Sequence, residues 1–145
     1  MALTDGELAD RLEIDDLLTR YAVAIDTKDW GLLATCFTPD ARIDYSSVGG
    51  AKGSYPEVAK WLEETLALFP MTQHFVNNRH VTLDGDAATG RSYFYNPMGS
   101  PDGKGGLKLF FVGGYYNDVF SRTADGWRIV ERVEENAWFD RFPTG

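Results

Sequence analysis

The stretch MTQHFVNNRHVTLDGDAATGRSYFY, Met71 to Tyr95, is where the texture of the chain changes. It reads as two strands around Asp84-Gly85-Asp86, and an Asp-Gly turn between alternating runs is a strong hairpin signal. Upstream, the period is helical. Thr4 and Glu7 have capping-box spacing, and Leu8, Leu12, Leu17, Leu18, Tyr21, Ala22 and Ile25 recur at roughly helical intervals, which predicts a first helix over Asp5–Ile25. Asp29 is placed to cap a short second helix, WGLLATCF, ended by Pro39. ARIDY then alternates as a strand, GGAKG breaks the chain, and Ser54 with Glu57 and Pro56 opens a third helix through EVAKWLEETLALF.

Downstream, NPMGSPDGKGG (96–106) reads as a Gly/Pro loop and LKLFFVGGYYNDVFSR (107–122) as a long strand bent at Gly113-Gly114. The ADG turn leads into a last strand, GWRIVERVEENAWF, and an irregular tail, DRFPTG. Segregated helices followed by a meander of long strands predict one α+β domain over residues 1–145. A curved antiparallel sheet should wrap around the N-terminal helices to give a cone with an interior pocket.

The composition narrows the partners. With 145 residues, 43% of them hydrophobic and 14% aromatic, the chain can bury its own core. A formal net charge of −8 is the wrong sign for gripping phosphate backbones, so no nucleic-acid partner is expected. The start MALTDGELAD has no signal-peptide pattern, and no run approaches the roughly 20 apolar residues of a bilayer span. A soluble, cytoplasmic protein without a membrane partner follows as an expectation. Cys36 stands alone and is assigned to packing.

Asp26, in YAVAIDTKDW (21–30), is the odd residue. It follows Ala22 by four positions and Leu18 by eight, so helical geometry puts a carboxylate on the apolar stripe, at the helix end where the macrodipole opposes it. Asp29 already suits the local capping role, so Asp26 needs another partner. The two histidines, His74 and His80, share parity on one predicted strand, and periodicity does not choose between them. An aspartate holding a buried histidine would leave the other ring nitrogen as a general base. His80, beside Arg79 and close to the turn, is read as a structural histidine. No metal is expected, because no HxH or HxxxH pair occurs. Nucleophile-elbow, phosphate-loop and dinucleotide fingerprints are absent as well.

Tyr21, Tyr45, Tyr93 and Tyr115 are the candidate pocket tyrosines, since a buried phenol needs a hydrogen-bond partner, whereas Trp30, Trp61, Phe69, Phe110 and Trp127 are assigned to the core. On the last strand Arg132, Glu134 and Asn136 share parity, so one set of three can face the pocket. Phe110, Val112, Tyr116 and Phe120 are read as an apolar stripe on the outer face, which predicts a homo-oligomer.

RYAVAIDTKDW, FTPDARIDY and MTQHF, with DGDAATG, GGYYNDVFSR and DGWRIVER, resemble the SnoaL-like branch of the nuclear transport factor 2-like superfamily, especially scytalone dehydratase. The resemblance covers nearly the whole chain. It implies a cone-shaped barrel taking a small hydrophobic or aromatic substrate, with Asp26 and His74 on the catalytic dyad of the family's dehydratases and dehydrochlorinase. By the same resemblance Tyr45 matches a tyrosine that binds water or the substrate carbonyl, and Tyr21 matches the tyrosine of the bile acid dehydratase. The dehydrochlorinase's arginine falls near Arg132, and that of the bile acid enzyme falls on Asn136. Two departures stand out: Ile25 replaces the tyrosine that precedes the dyad aspartate in scytalone dehydratase, and Tyr93 or Tyr95 stands where that enzyme has a second histidine. The expected activity is a cofactor-independent lyase, of dehydratase or retro-aldol type. The alternatives are an isomerase or polyketide cyclase on the same dyad, or a non-catalytic ligand-binding module. Among assemblies, the resemblance favours a trimer over a dimer.

Overall fold

The computed structural model describes residues 2–143. Helix α1 (Asp5–Thr27) starts where Thr4 and Glu7 cap each other: Thr4 N donates to Glu7 Oε2 at 2.8 Å and Glu7 N to Thr4 Oγ1 at 3.1 Å. It stops at Lys28, which adopts the left-handed conformation with φ 55°. Ile14, Leu17, Leu18, Tyr21, Ala24 and Ile25 form its buried face. Helix α2 (Trp30–Ala34) is capped by Asp29, and α3 (Tyr55–Leu66) opens with the Glu57 carboxylate accepting from Ser54 N at 2.9 Å. Both short helices end earlier than their sequence patterns suggest. Strand β1 (Phe37–Asp44) takes over from α2 before Pro39, which falls where the β1–β7 register is irregular between Phe37 and Arg42.

The other strands are β2 (Lys52–Ser54), β3 (Met71–Thr72), β4 (Phe75–Asp84), β5 (Ala87–Pro101), β6 (Leu107–Thr123) and β7 (Gly126–Asp140). They form one sheet in the order β2-β1-β7-β6-β5-β3, with β4 also on β5. The sheet is mixed: β1 and β7 run parallel, an exception to the antiparallel meander predicted. It curls around α1 and α3. The Gly/Pro segment after Tyr95 is strand as far as Pro101, because Pro97 and Pro101 lie in a β5 that still pairs with β6.

Two close approaches set the curvature. A side chain at Gly113 would collide with the Trp138 indole, and one at Gly114 with the Glu135 carbonyl oxygen, where the register of β6 against β7 slips by one residue at Ala137. Another bulge lies in β4. Asn78, at φ 49°, adds one residue between the Asn77–Tyr93 and His80–Arg91 pairings. It therefore reverses parity along the strand, leaving Val81 inward and His80 on the outside.

One end of the half-barrel is clasped. Arg122, on β6, donates to both carboxylate oxygens of Asp10 at 2.6 and 2.9 Å and to Asp86 at 2.9 Å, while Trp127 Nε1 donates to Asp10 at 3.0 Å. Glu13 accepts from Trp127 N at 2.7 Å. The N-terminal half of α1 is thus tied to the β4–β5 turn and to β6 and β7, and its C-terminal half is left to line the interior.

The β6 stripe Phe110, Val112, Tyr116 and Phe120 faces that interior and is buried, contrary to the outer position expected. The opposite stripe is also apolar, so composition did not distinguish the two faces. Outward-facing large residues are Phe75, Tyr93, Tyr95, Leu109, Val119, Val133 and Trp138. Cys36 is free and buried, as its packing role requires.

Candidate functional site

Between β3 and β4 the chain leaves the ladder for two residues, Gln73 and His74. Gln73 N still donates to Pro97 O at 2.9 Å, which holds the break against β5. His74 N is turned instead toward the last turn of α1, where it donates to Asp26 Oδ2 at 2.8 Å. His74 Nδ1 lies 2.7 Å from Asp26 Oδ1, and Thr72 Oγ1 donates to the same oxygen at 2.9 Å. This arrangement accounts for the misplaced carboxylate: three donors offset the unfavourable helix end. Burial alone would raise the Asp26 pKa, but the bonds from His74 and Thr72 outweigh it and hold the carboxyl below its ordinary value. An ionised Asp26 only accepts, so the His74 ring donates from Nδ1, which leaves Nε2 without a hydrogen bond among the described residues.

His74 opens onto a cavity of about 400 Å³ between the helices and the concave face of the sheet. Its walls are largely apolar, with Ile25, Trp61, Leu62, Phe69, Phe110 and Val112 among them. Phe142 of the tail closes one side, packed 5.6 Å from Phe110 between ring centroids. Tyr21 and Tyr45 meet in the wall with their hydroxyls 2.7 Å apart, and the Tyr21 ring stands edge-on to His74 at 6.4 Å. Tyr45 is fixed by the loop after β1: Gly50 N donates to its carbonyl at 2.9 Å, and a Cβ at Gly50 would press on Trp61 at 2.6 Å. Burial drives both phenols well above their ordinary pKa, so they remain neutral donors.

Arg132 is in the interior but not in the cavity wall. Its Nε and Nη2 donate to Asp118 at 2.7 and 2.9 Å, and neither side chain is exposed. The guanidinium lies 4.2 Å from the Tyr21 ring centroid and 4.0 Å from that of Tyr116, a buried cation beneath two of the aromatic residues that line the cavity. Asn136 is engaged elsewhere: its Nδ2 donates to the Gly113 and Trp138 carbonyls at 3.3 and 3.2 Å, bracing the β6–β7 bulge.

Tyr93 and Tyr115 are corrections. They pack edge-on at 5.1 Å on the outer face, with Arg91 4.0 Å above Tyr115, because the inward parity of β5 and β6 falls on Ser92, Phe94 and Tyr116. His80 lies outside too, beside Thr82 and Arg91 in an outer depression of about 390 Å³ that contains no part of the dyad. Two wall residues were not assigned from the sequence. Asn96 belongs to β5, in a segment whose Gly/Pro composition predicts a loop. Glu134 was named only for its parity with Arg132. Burial raises its pKa to about 8; Arg132 opposes that rise and Asp44 adds to it. Among the described residues, no three His, Cys, Asp or Glu side chains are grouped to hold a metal ion. No helix there is long and apolar enough to cross a membrane.

Known proteins share this architecture. An uncharacterized Mycobacterium tuberculosis protein, Rv2910c, is 44% identical over 132 residues, 91% of this chain and 88% of that one. The crystal structure of Kfla4162 from Kribbella flavida superposes with a TM-score of 0.84 at 28% identity, covering 92% of this chain and 94% of that one. A type 2 hexachlorocyclohexane dehydrochlorinase (LinA) superposes at 0.79 with 20% identity over 91% and 88% of the two chains, a likeness of fold. The SnoaL-like domain matches residues 6–133, and with the curled sheet around N-terminal helices this makes the chain a member of the SnoaL-like family, with the nuclear transport factor 2-like fold.

Proposed function

We propose that the cavity carries out a cofactor-independent elimination, dehydration in the first instance, on a small cyclic or aromatic molecule. The observation that supports this most directly is the Asp26–His74 pair, whose free Nε2 belongs to a side chain lining an apolar cavity beside two neutral phenols. His74 takes a carbon-bound proton next to a carbonyl, and Asp26 holds the tautomer and stabilises the imidazolium that results. The Tyr21–Tyr45 pair donates to the carbonyl oxygen as enolate charge develops, helped by the Arg132 cation beneath the Tyr21 ring. Collapse of the enolate ejects the β-substituent. A retro-aldol cleavage would use the same base, with removal of a hydroxyl proton in place of the carbon-bound one. A dehydrochlorinase on the same fold supports elimination as chemistry that this scaffold can host.

The test is turnover of cyclic β-hydroxyketones, polyketides and lignin-like fragments, with products weighed by mass spectrometry in the presence of a chelator. His74→Ala should lower the rate by about two orders of magnitude or more, the usual cost of losing a general base. A folded variant with the wild-type rate would refute the assignment. A product of unchanged mass would move the reaction to isomerisation or cyclisation, and ligand binding without turnover would make the chain a binding module. Self-association, as a trimer ahead of a dimer, belongs to the same proposal. The exposed aromatic and aliphatic residues of the outer sheet face would be covered in that assembly.

A further inference from the structure

Glu134 lines the cavity that also holds His74, yet the elimination described above gives it no task. The residue is 8% exposed, and its Oε1 is buried without a hydrogen-bond partner. Its backbone is fixed, paired with Tyr116 in the ladder and with its carbonyl accepting from Ser47 Oγ at 2.8 Å. Arg132, the nearby cation on the same strand, donates to Asp118 through Nε and Nη2 and makes no hydrogen bond to Glu134. Asn96 shows the same pattern, 4% exposed with Oδ1 unpartnered in the same wall. Buried polar groups without partners are rare, and two in one cavity mark where a ligand's polar atoms belong.

A buried carboxyl that accepts no hydrogen bond at Oε1 is held in its protonated form, and a protonated carboxyl donates one O–H bond. We propose that Glu134 is the acid of this site, donating to an oxygen of an uncharged substrate and passing its proton to the departing hydroxyl. The inference rests on the elimination reading and deepens it by naming the substrate class. That class is a neutral molecule with a hydroxyl β to a carbonyl. A full anion is disfavoured, because Asp118 already offsets the charge of Arg132, whose Nη1 alone is left without a hydrogen bond.

The step balances. His74 Nε2 takes the α-proton, and the C–H electron pair becomes the new C=C bond. The C–O bond breaks with its pair on oxygen, and that oxygen takes the Glu134 proton and leaves as water. Imidazolium and carboxylate remain, and return of one proton from His74 to Glu134 resets the site. The groups facing Glu134 are Arg132 on its own strand, Asp44 and Tyr45 from β1 and its end, Tyr116 on β6 and Tyr21 on α1. Of the charged ones, Arg132 favours ionisation of Glu134 and Asp44 opposes it, while burial sets the titration at about 8.

The experiment has two arms. Infrared difference spectra of wild type against E134Q at pH 6.5 should contain the carbonyl stretch of a protonated carboxyl, and 3-hydroxycyclohexanone should shift it. Absence of the band, or a band that the probe leaves unmoved, overturns the proposal. In the kinetic arm, 3-hydroxycyclohexanone is compared with its acetate ester, whose better leaving group needs no proton. E134Q should lose about a hundredfold or more on the alcohol, the scale of general-acid catalysis, and only a few-fold on the ester. The alkaline fall in wild-type turnover on the alcohol should also vanish. Equal losses on alcohol and ester, or none on either, refute Glu134 as the acid even where His74→Ala confirms the base. If neither probe is eliminated but the band shifts, Glu134 stands as the donor to a bound oxygen and the elimination reading falls.

Discussion

Asp26→Asn separates orientation of the base from its presence. The carboxylate accepts from Thr72 Oγ1 at 2.9 Å, from His74 N at 2.8 Å and from His74 Nδ1 at 2.7 Å. An asparagine has one acceptor oxygen and one donor nitrogen for the same three neighbours. If the oxygen stays with Thr72 and Nδ1, the amide nitrogen faces the His74 N–H and one bond becomes a donor–donor contact. If it is flipped, Nδ1 must accept, and the ring proton moves to Nε2, the nitrogen that should act as base. Either way a hydrogen bond to a charged group is lost, worth about 1.5–3 kcal/mol, together with the charge that stabilises imidazolium. At about 1.4 kcal/mol per decade, the loss of turnover should be at least tenfold from the bond alone, and about a hundredfold or more with the charge and tautomer included. Ring-nitrogen NMR reads the tautomer without any substrate: wild type should carry its neutral-ring proton on Nδ1, and the variant should show Nε2–H, because the flipped amide is the orientation without a donor–donor contact. Unchanged nitrogen shifts with unchanged turnover, in a variant whose circular dichroism is intact, would refute the reasoning.

Asp118→Ala should cost about 3–5 kcal/mol in urea unfolding, because it strands the Arg132 guanidinium in the interior. Equal stability would mean that water or another group reaches Arg132. Glu134 should make the protein less stable as pH rises. Its folded pKa of about 8 lies above the ordinary 4.5, so between those values the native state holds a proton that the unfolded chain releases. E134Q should therefore melt higher than wild type at pH 7, and the gap should open by up to about 1.4 kcal/mol per pH unit across that window. A gap independent of pH would show that Glu134 is ionised in the fold. Sedimentation at micromolar concentration should give a mass above that of one chain, and a clean monomer would end the self-association proposal.

The helix starts were legible because their signals are local: Thr4 with Glu7, Asp29, and Ser54 with Glu57 each act within a single turn. Asp26 was legible for the opposite reason, since a carboxylate on an apolar stripe at the wrong helix end contradicts its surroundings. Facing was the hard part. Alternation identifies two stripes on a strand but names neither as the inner one when both are apolar, as on β6, where Phe110 and Tyr116 face in and Leu109 and Tyr115 face out. A bulge reverses parity, so His74 and His80, alike in the sequence, end on opposite sides of the sheet after Asn78. Glu134 shared a pocket-facing parity with Arg132 and Asn136, but its burial was not legible, because burial is a property of the closed barrel and not of EENAW.

The clasp at Asp10, Arg122 and Trp127 also sets where the molecule can yield. It joins segments more than a hundred positions apart, with Asp10 and Arg122 separated by 112, so those bonds form only when the whole barrel has closed. Once formed, they anchor α1 by its beginning, while the polar ties of its last turn are the Asp26 bonds with Thr72 and His74 and the Lys28 bond to Phe69 O. Amide protons along α1 should then exchange slowly near Ile14 and progressively faster toward Thr27, a gradient of local opening within one continuous helix.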